Sequence, residues 1–147
     1  MRILGIDYGG KRIGLAISDP MEMIAHGLPT LKNESEEQVL REIGALIRER
    51  EVEAIALGLP RNMNDTLGPQ AQKVTQFAEK LAAFGKPVHL VDERLTTERA
   101  RRAMDEAGFS YARQKRSVDR MAAQFILQLY LDSSRSKNSE KARTDTD

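Results

Sequence analysis

The sequence predicts an α/β fold built on a mixed five-stranded sheet flanked by helices. Three observations point to it. Residues 2–31 hold three short strand-like segments separated by turn signals. Between Glu34 and Val91, helix-period and strand-like segments alternate. Beyond Thr97 only helical periodicity remains.

Taken in order, Arg2–Asp7 is the first strand, an apolar run closed by an acid. Arg12–Ser18 is the second, with Ile13, Leu15 and Ile17 alternating against Gly14, Ala16 and Ser18. Gly9-Gly10-Lys11 joins them as a hairpin turn. Ala25–Leu31 is the third strand, reached after the Asp19-Pro20 turn, which completes an antiparallel meander. Glu34–Glu51 places Val39, Leu40, Ile43, Leu46 and Ile47 at helical spacing. Glu53–Leu59 reads as a strand buried on both faces. Gln70–Phe84 is helical, with Val74, Phe77, Ala78 and Leu81 on one stripe and Gly85 suited to end it. Val88–Val91 reads as another buried strand. Thr97–Ala107 and Val118–Leu131 are the last helices, and the methionines read as core fillers. The order is βββαβαβαα, and its β-α-β units require a parallel section with right-handed crossovers.

Composition narrows the chemistry. The 147 residues suit one domain. Residues 133–147 contain a single apolar residue, Ala142, and are expected to form a disordered tail after a domain of residues 1–132. A net charge of +1 excludes a bulk polybasic nucleic-acid binder but leaves room for a local patch. With no Cys, thiolate chemistry and Cys-based zinc sites are excluded, and two His cannot make a three-His zinc site. No apolar run approaches the ~18 residues that span a bilayer, and the N-terminus lacks a signal-peptide layout. A cytoplasmic protein with no membrane association is expected.

Three acids stand out. Asp7 ends an apolar strand, where a carboxylate is costly unless it is paired, bound to metal or capping the following turn. Asp92-Glu93-Arg94 lies at the exit of the last strand, the sheet edge where α/β sites gather. Neighbours on a strand face opposite ways, so only one of Asp92 and Glu93 shares a site with Asp7. Glu93 has the longer reach; Asp92 is left to pair with Arg94 or cap a helix. Asp119 opens the last helix, where the dipole alone favours an acid. Ala122 and Ala123 would let that helix approach the sheet closely. Three converging carboxylates without Cys or His suit Mg²⁺ or Mn²⁺, and two such ions support phosphodiester hydrolysis. Residues 94–120 add a charge of +4 through eight basic and four acidic residues, with Phe109 and Tyr111 in their midst. Arg94, Arg113, Lys115 and Arg116 of this run are candidate phosphate contacts, set against the plainer reading of a solvated helix face. Lys11 and Arg12 are a second candidate group.

Four blocks, GIDYGGKRIGLAISD (residues 5–19), LGLPRNMNDTLGPQAQKV (57–74), VDERLTT (91–97) and SVDRMAAQFILQLYL (117–131), together resemble the signature of the YqgF/RuvX family. With their spacers they cover residues 1–132. The resemblance implies an RNase H-like fold related to the resolvase RuvC. It also implies a cytoplasmic bacterial nuclease that matures the 5′ end of pre-16S rRNA; a Holliday junction resolvase role has been proposed for the family too. Its acidic triad falls on Asp7, Glu93 and Asp119, and its Gly-Leu-Pro-x-Asn-Met block puts Asn62 near substrate phosphate or ribose. Many relatives have Asp-Gly after that block, where this chain has Asn64-Asp65, which bears only on the loop.

Nucleic acid is therefore the expected partner, pre-rRNA first and branched DNA second, for a monomer or homodimer. Two rival readings are separable. An actin-like ATPase would need a second lobe for which 147 residues leave no room. A non-catalytic RNA-binding factor would keep its affinity without Mg²⁺ or Mn²⁺ and cleave nothing.

Overall fold

The computed structural model describes residues 1–60, 68–110, 112, 113 and 121–135, with backbone alone at 95–100 and 103. Strands β1 (Arg2–Tyr8), β2 (Arg12–Ser18) and β3 (Ala25–Lys32) are followed by α1 (Glu36–Glu49), β4 (Val52–Leu59), α2 (Pro69–Ala82), β5 (Val88–Asp92) and α3 (Glu93–Glu106). A further helix, α4, occupies residues 121–135. The strands form one five-stranded sheet in the order β3-β2-β1-β4-β5. The β1–β2 and β2–β3 pairs are antiparallel, and the β1–β4 and β4–β5 pairs are parallel. The mixed sheet and its central first strand match the expectation.

Alternation along the strands sorts side chains by size. Leu4 and Ile6, Ile13, Leu15 and Ile17, and Ile55, Leu57 and Leu59 point to one face. There they bury Val39, Ile43 and Ile47 of α1 and Val74, Phe77 and Leu81 of α2. The other face carries Ile3, Ala16, Ala25, Ala56 and Val91 beneath Ala123, Ile126, Leu127 and Leu131 of α4. Small residues on this second face let α4 come close. A Cβ at Gly5 would lie 2.7 Å from Leu127 Cβ and 3.0 Å from the Ala123 carbonyl oxygen. The side chains of Gln124 and Gln128 then hold α4 to the start of β3. Gln128 Oε1 accepts from the Ala25 N–H at 2.9 Å, and Gln124 Nε2 donates to the Ala25 carbonyl at 3.0 Å.

Local chemistry sets the helix ends. Ser35 caps α1 by accepting from the Gln38 N–H. Pro69 occupies the first turn of α2, and Gly85 follows that helix at φ +78. An ion pair of 2.6 Å between Lys80 and Glu36 links α2 to α1.

Four expectations need correction. Strand β5 is an edge strand rather than a buried one, with Leu90 48% exposed and only Val91 fully buried, because it has a single neighbour, β4. Helix α3 starts at Glu93 rather than Thr97, because Asp92 caps it. Helix α4 continues to residue 135, past the helix end expected at Leu131, and Arg135 there pairs with Asp132 and donates to the Met23 carbonyl. Met1, Met21, Met23 and Met121 are exposed, and Met104 alone of the described methionines is buried in the core. The remaining tail, residues 136–147, lies outside the described residues.

Candidate metal and nucleic-acid site

Asp7 is the penultimate residue of the central strand and points to the α4 face. Its antiparallel partner is Gly14, and a Cβ at Gly14 would lie 3.5 Å from Asp7 Cβ and 3.4 Å from Ala123 Cβ. Glu93 follows β5 as the first residue of α3. The two acids were expected on neighbouring strands. They are not, since β4 lies between β1 and β5.

Gly58 of β4 closes the gap. A Cβ there would lie 2.6 Å from Glu93 Oε1 and 3.1 Å from Glu93 Cγ, so the glutamate side chain runs across the bare backbone of Gly58. It reaches Asp7 and hydrogen-bonds to it. The Glu93 carboxyl is pushed up to about 8, first by burial, then by the negative charge of Asp7 and the hydrogen bond to it, and last by Asp92. The raised Glu93 carboxyl favours one proton shared between the two carboxylates near neutral pH.

Asp92 takes another part. Its Oδ1 accepts from the Arg94 N–H at 3.0 Å, and its Oδ2 pairs with the Arg94 guanidinium at 2.7 Å. It thereby caps α3 and fixes the backbone from which Glu93 projects. Arg94, a candidate phosphate contact, is half-buried and spends its guanidinium on Asp92.

The other candidates are spread more widely. Lys11 and Arg12 are exposed on the β1–β2 hairpin. Asn33 holds that hairpin, donating from Nδ2 to the Gly9 carbonyl at 2.8 Å and from its N–H to the Lys11 carbonyl at 2.9 Å. Arg113 is exposed and lies over the Phe109 ring at 3.8 Å. Asn62, Lys115, Arg116 and Asp119 lie outside the described residues. Among the described residues no third Asp, Glu or His completes a metal-holding group with Asp7 and Glu93. Even so, the pair suits a hard cation. Both donors are carboxylates, they are in hydrogen-bonding contact, and one is forced to hold a proton that a cation would replace.

Sequence reasoning missed Gly58 and Asn33. Gly58 lies in an apolar strand and opens the Gly-Leu-Pro-x-Asn-Met block, but neither reading gives it a part in the site, although a glycine within a strand signals close approach by another group.

The model of the RuvX family, described as Holliday junction resolvase, matches residues 1–133. The chain belongs to the RuvX family. A relative from Clostridium kluyveri is 48% identical over 133 residues, covering 90% of this chain and 97% of its own. One from Thermoanaerobacter pseudethanolicus is 50% identical over 139 residues, covering 93% and 100%. Both are provisionally named pre-16S rRNA nucleases. Among solved structures, Thermus thermophilus RuvC bound to a Holliday junction superposes with a TM-score of 0.62 at 17% identity, covering 93% of this chain and 96% of that one. The fold is therefore RNase H-like, and the family is one of nucleases. No described helix is long and apolar enough to cross a membrane.

Proposed function

We propose that the chain is a divalent-metal-dependent endonuclease that hydrolyses phosphodiester bonds at the 5′ end of pre-16S rRNA. The observation that carries this reading is the carboxylate pair, with Glu93 laid across Gly58 onto Asp7 at one end of the sheet. Asp7 and Glu93 would hold Mg²⁺ or Mn²⁺, both hard ions suited to oxygen donors. The resemblance supplies Asp119 as a third ligand. Held there, such an ion would supply Lewis-acid activation of water and charge stabilisation at the leaving oxygen.

The chain's own residues do the positioning. Asp92 and Arg94 fix the start of α3 and hence the Glu93 backbone. Gly58 leaves the path that the Glu93 side chain takes. Lys11 and Arg12, on a hairpin held by Asn33, offer charge to substrate phosphates. The names of the relatives favour pre-rRNA. The description of the family model favours a second reading, branched DNA cut at a junction.

The test is to present a pre-16S 5′ leader and a synthetic four-way junction side by side, with Mg²⁺, Mn²⁺ or EDTA. Cleavage of the leader is expected, lost in EDTA and lost in Asp7→Asn. Cleavage of the junction alone would favour the second reading. Undiminished turnover by Asp7→Asn would end both.

A further inference from the structure

We infer that Lys32, paired across the sheet with Arg12, forms a phosphate clamp on the Asp7 face that holds the nucleic-acid backbone beside the cleaved bond.

The register places the two cations together. Arg12 of β2 and Lys32 of β3 are direct cross-strand partners. The next pair inward, Ile13 and Leu31, turns into the core beneath α1 and α2. Strand alternation therefore points Arg12 and Lys32 the other way, onto the face that carries Gly14 and Asp7. Arg12 is two residues from Gly14, the partner of Asp7, which is about 7 Å along the strand.

Charge and anchoring add to the placement. Like charges directly opposite on neighbouring strands repel. Both residues are exposed, and neither forms an ion pair among the described residues. A polyanion lying along this edge would turn that repulsion into attraction. The support is also firm. Asn33, the residue after Lys32, binds the Gly9 and Lys11 carbonyls and ties β3 to the hairpin that carries Arg12. Both cations thus sit on a braced platform.

The clamp rests on the nuclease reading, but its test is a binding measurement that is interpretable whether or not the chain cleaves. The full chain in EDTA is titrated with a labelled RNA strand and a labelled DNA four-way junction over a range of KCl. Lys32→Ala is expected to lower the slope of log affinity against log salt by about one or slightly less. The affinity lost between about 50 and about 200 mM salt should then shrink roughly threefold. Arg12→Ala with Lys32→Ala should remove about twice that slope, and Lys32→Glu should bind more weakly than Lys32→Ala. Lys86→Ala, near the start of β4 at the far end of the sheet, is the control and should bind like wild type. Thermal melts should show Lys32→Ala no less stable than wild type at low salt, since the substitution removes a repulsion. Wild-type affinity and slope in Lys32→Ala would overturn the clamp. So would a loss confined to one nucleic acid at unchanged slope, because a phosphate contact reads neither base nor sugar.

Discussion

A methyl group at position 58 would sit 2.6 Å from Glu93 Oε1 and 2.5 Å from Ile126 Cδ1. Neither neighbour is free to yield, because Ile126 of α4 is buried against the sheet and Glu93 is held by Asp7. Gly58→Ala is therefore expected to cost about 1–3 kcal/mol of stability through overpacking. It should also swing Glu93 away from Asp7 and weaken Mn²⁺ binding and cleavage together. Urea melts and metal titration of the same variant check both parts, and a fully stable variant with wild-type metal affinity would refute the role given to Gly58. At this scale the sequence was partly legible. Asp7 stood out as a charge closing an apolar strand. Period-two alternation separated Glu93 from Asp92, and the structure puts Glu93, not Asp92, against Asp7. Asp92 was read as an Arg94 partner or a helix cap, and it is both. What could not be read was the route between the acids. It depends on β4 lying between β1 and β5, and strand order is a long-range property absent from local pattern.

Among the elements, α4 depends most on small residues. Gly5, Gly14 and Ala123 set its distance from the sheet, with Ala123 only 5% exposed. Gly5→Ala is expected to push α4 outward, since the added Cβ meets Leu127 Cβ at 2.7 Å and backbone at 3.0 Å. A stability loss of about 1–3 kcal/mol should follow. Hydrogen exchange should show it first as faster exchange in residues 121–135, and uniform protection there would contradict this docking. β2, α1 and α2 were legible because their apolar residues repeat at one clear period, and β1 and β4 because each is a short apolar run of strand length. The start of α3 was not. Its first turn has little apolar patterning, and its cap is an acid that serves as an arginine partner as well. Edge strand β5 was misread as buried because a short apolar run looks the same in either setting. Nothing local marks how many neighbours a strand has.

For the molecule as a whole, the carboxylate pair links stability, protons and metal. With its carboxyl raised to about 8 from an ordinary 4.5, Glu93 holds a proton in the folded chain that the unfolded chain has released. Between these two values the folded state binds more protons, so this group's contribution falls as pH rises through the window. Stability of the metal-free chain, referenced to Glu93→Gln, should decline from about pH 4.5 to about pH 8 and then level off. A cation at the pair would take the place of that proton. Counting protons as Mn²⁺ binds is thus the most direct test that Asp7 and Glu93 make one cation site. Calorimetric titrations at pH 7, in buffers of differing ionisation enthalpy, should show release of close to one proton per wild-type chain. Affinity should fall sharply in Asp7→Asn, and proton release should vanish in Glu93→Gln. Equal Mn²⁺ affinity in wild type and Asp7→Asn, with no proton released by either, would contradict the account.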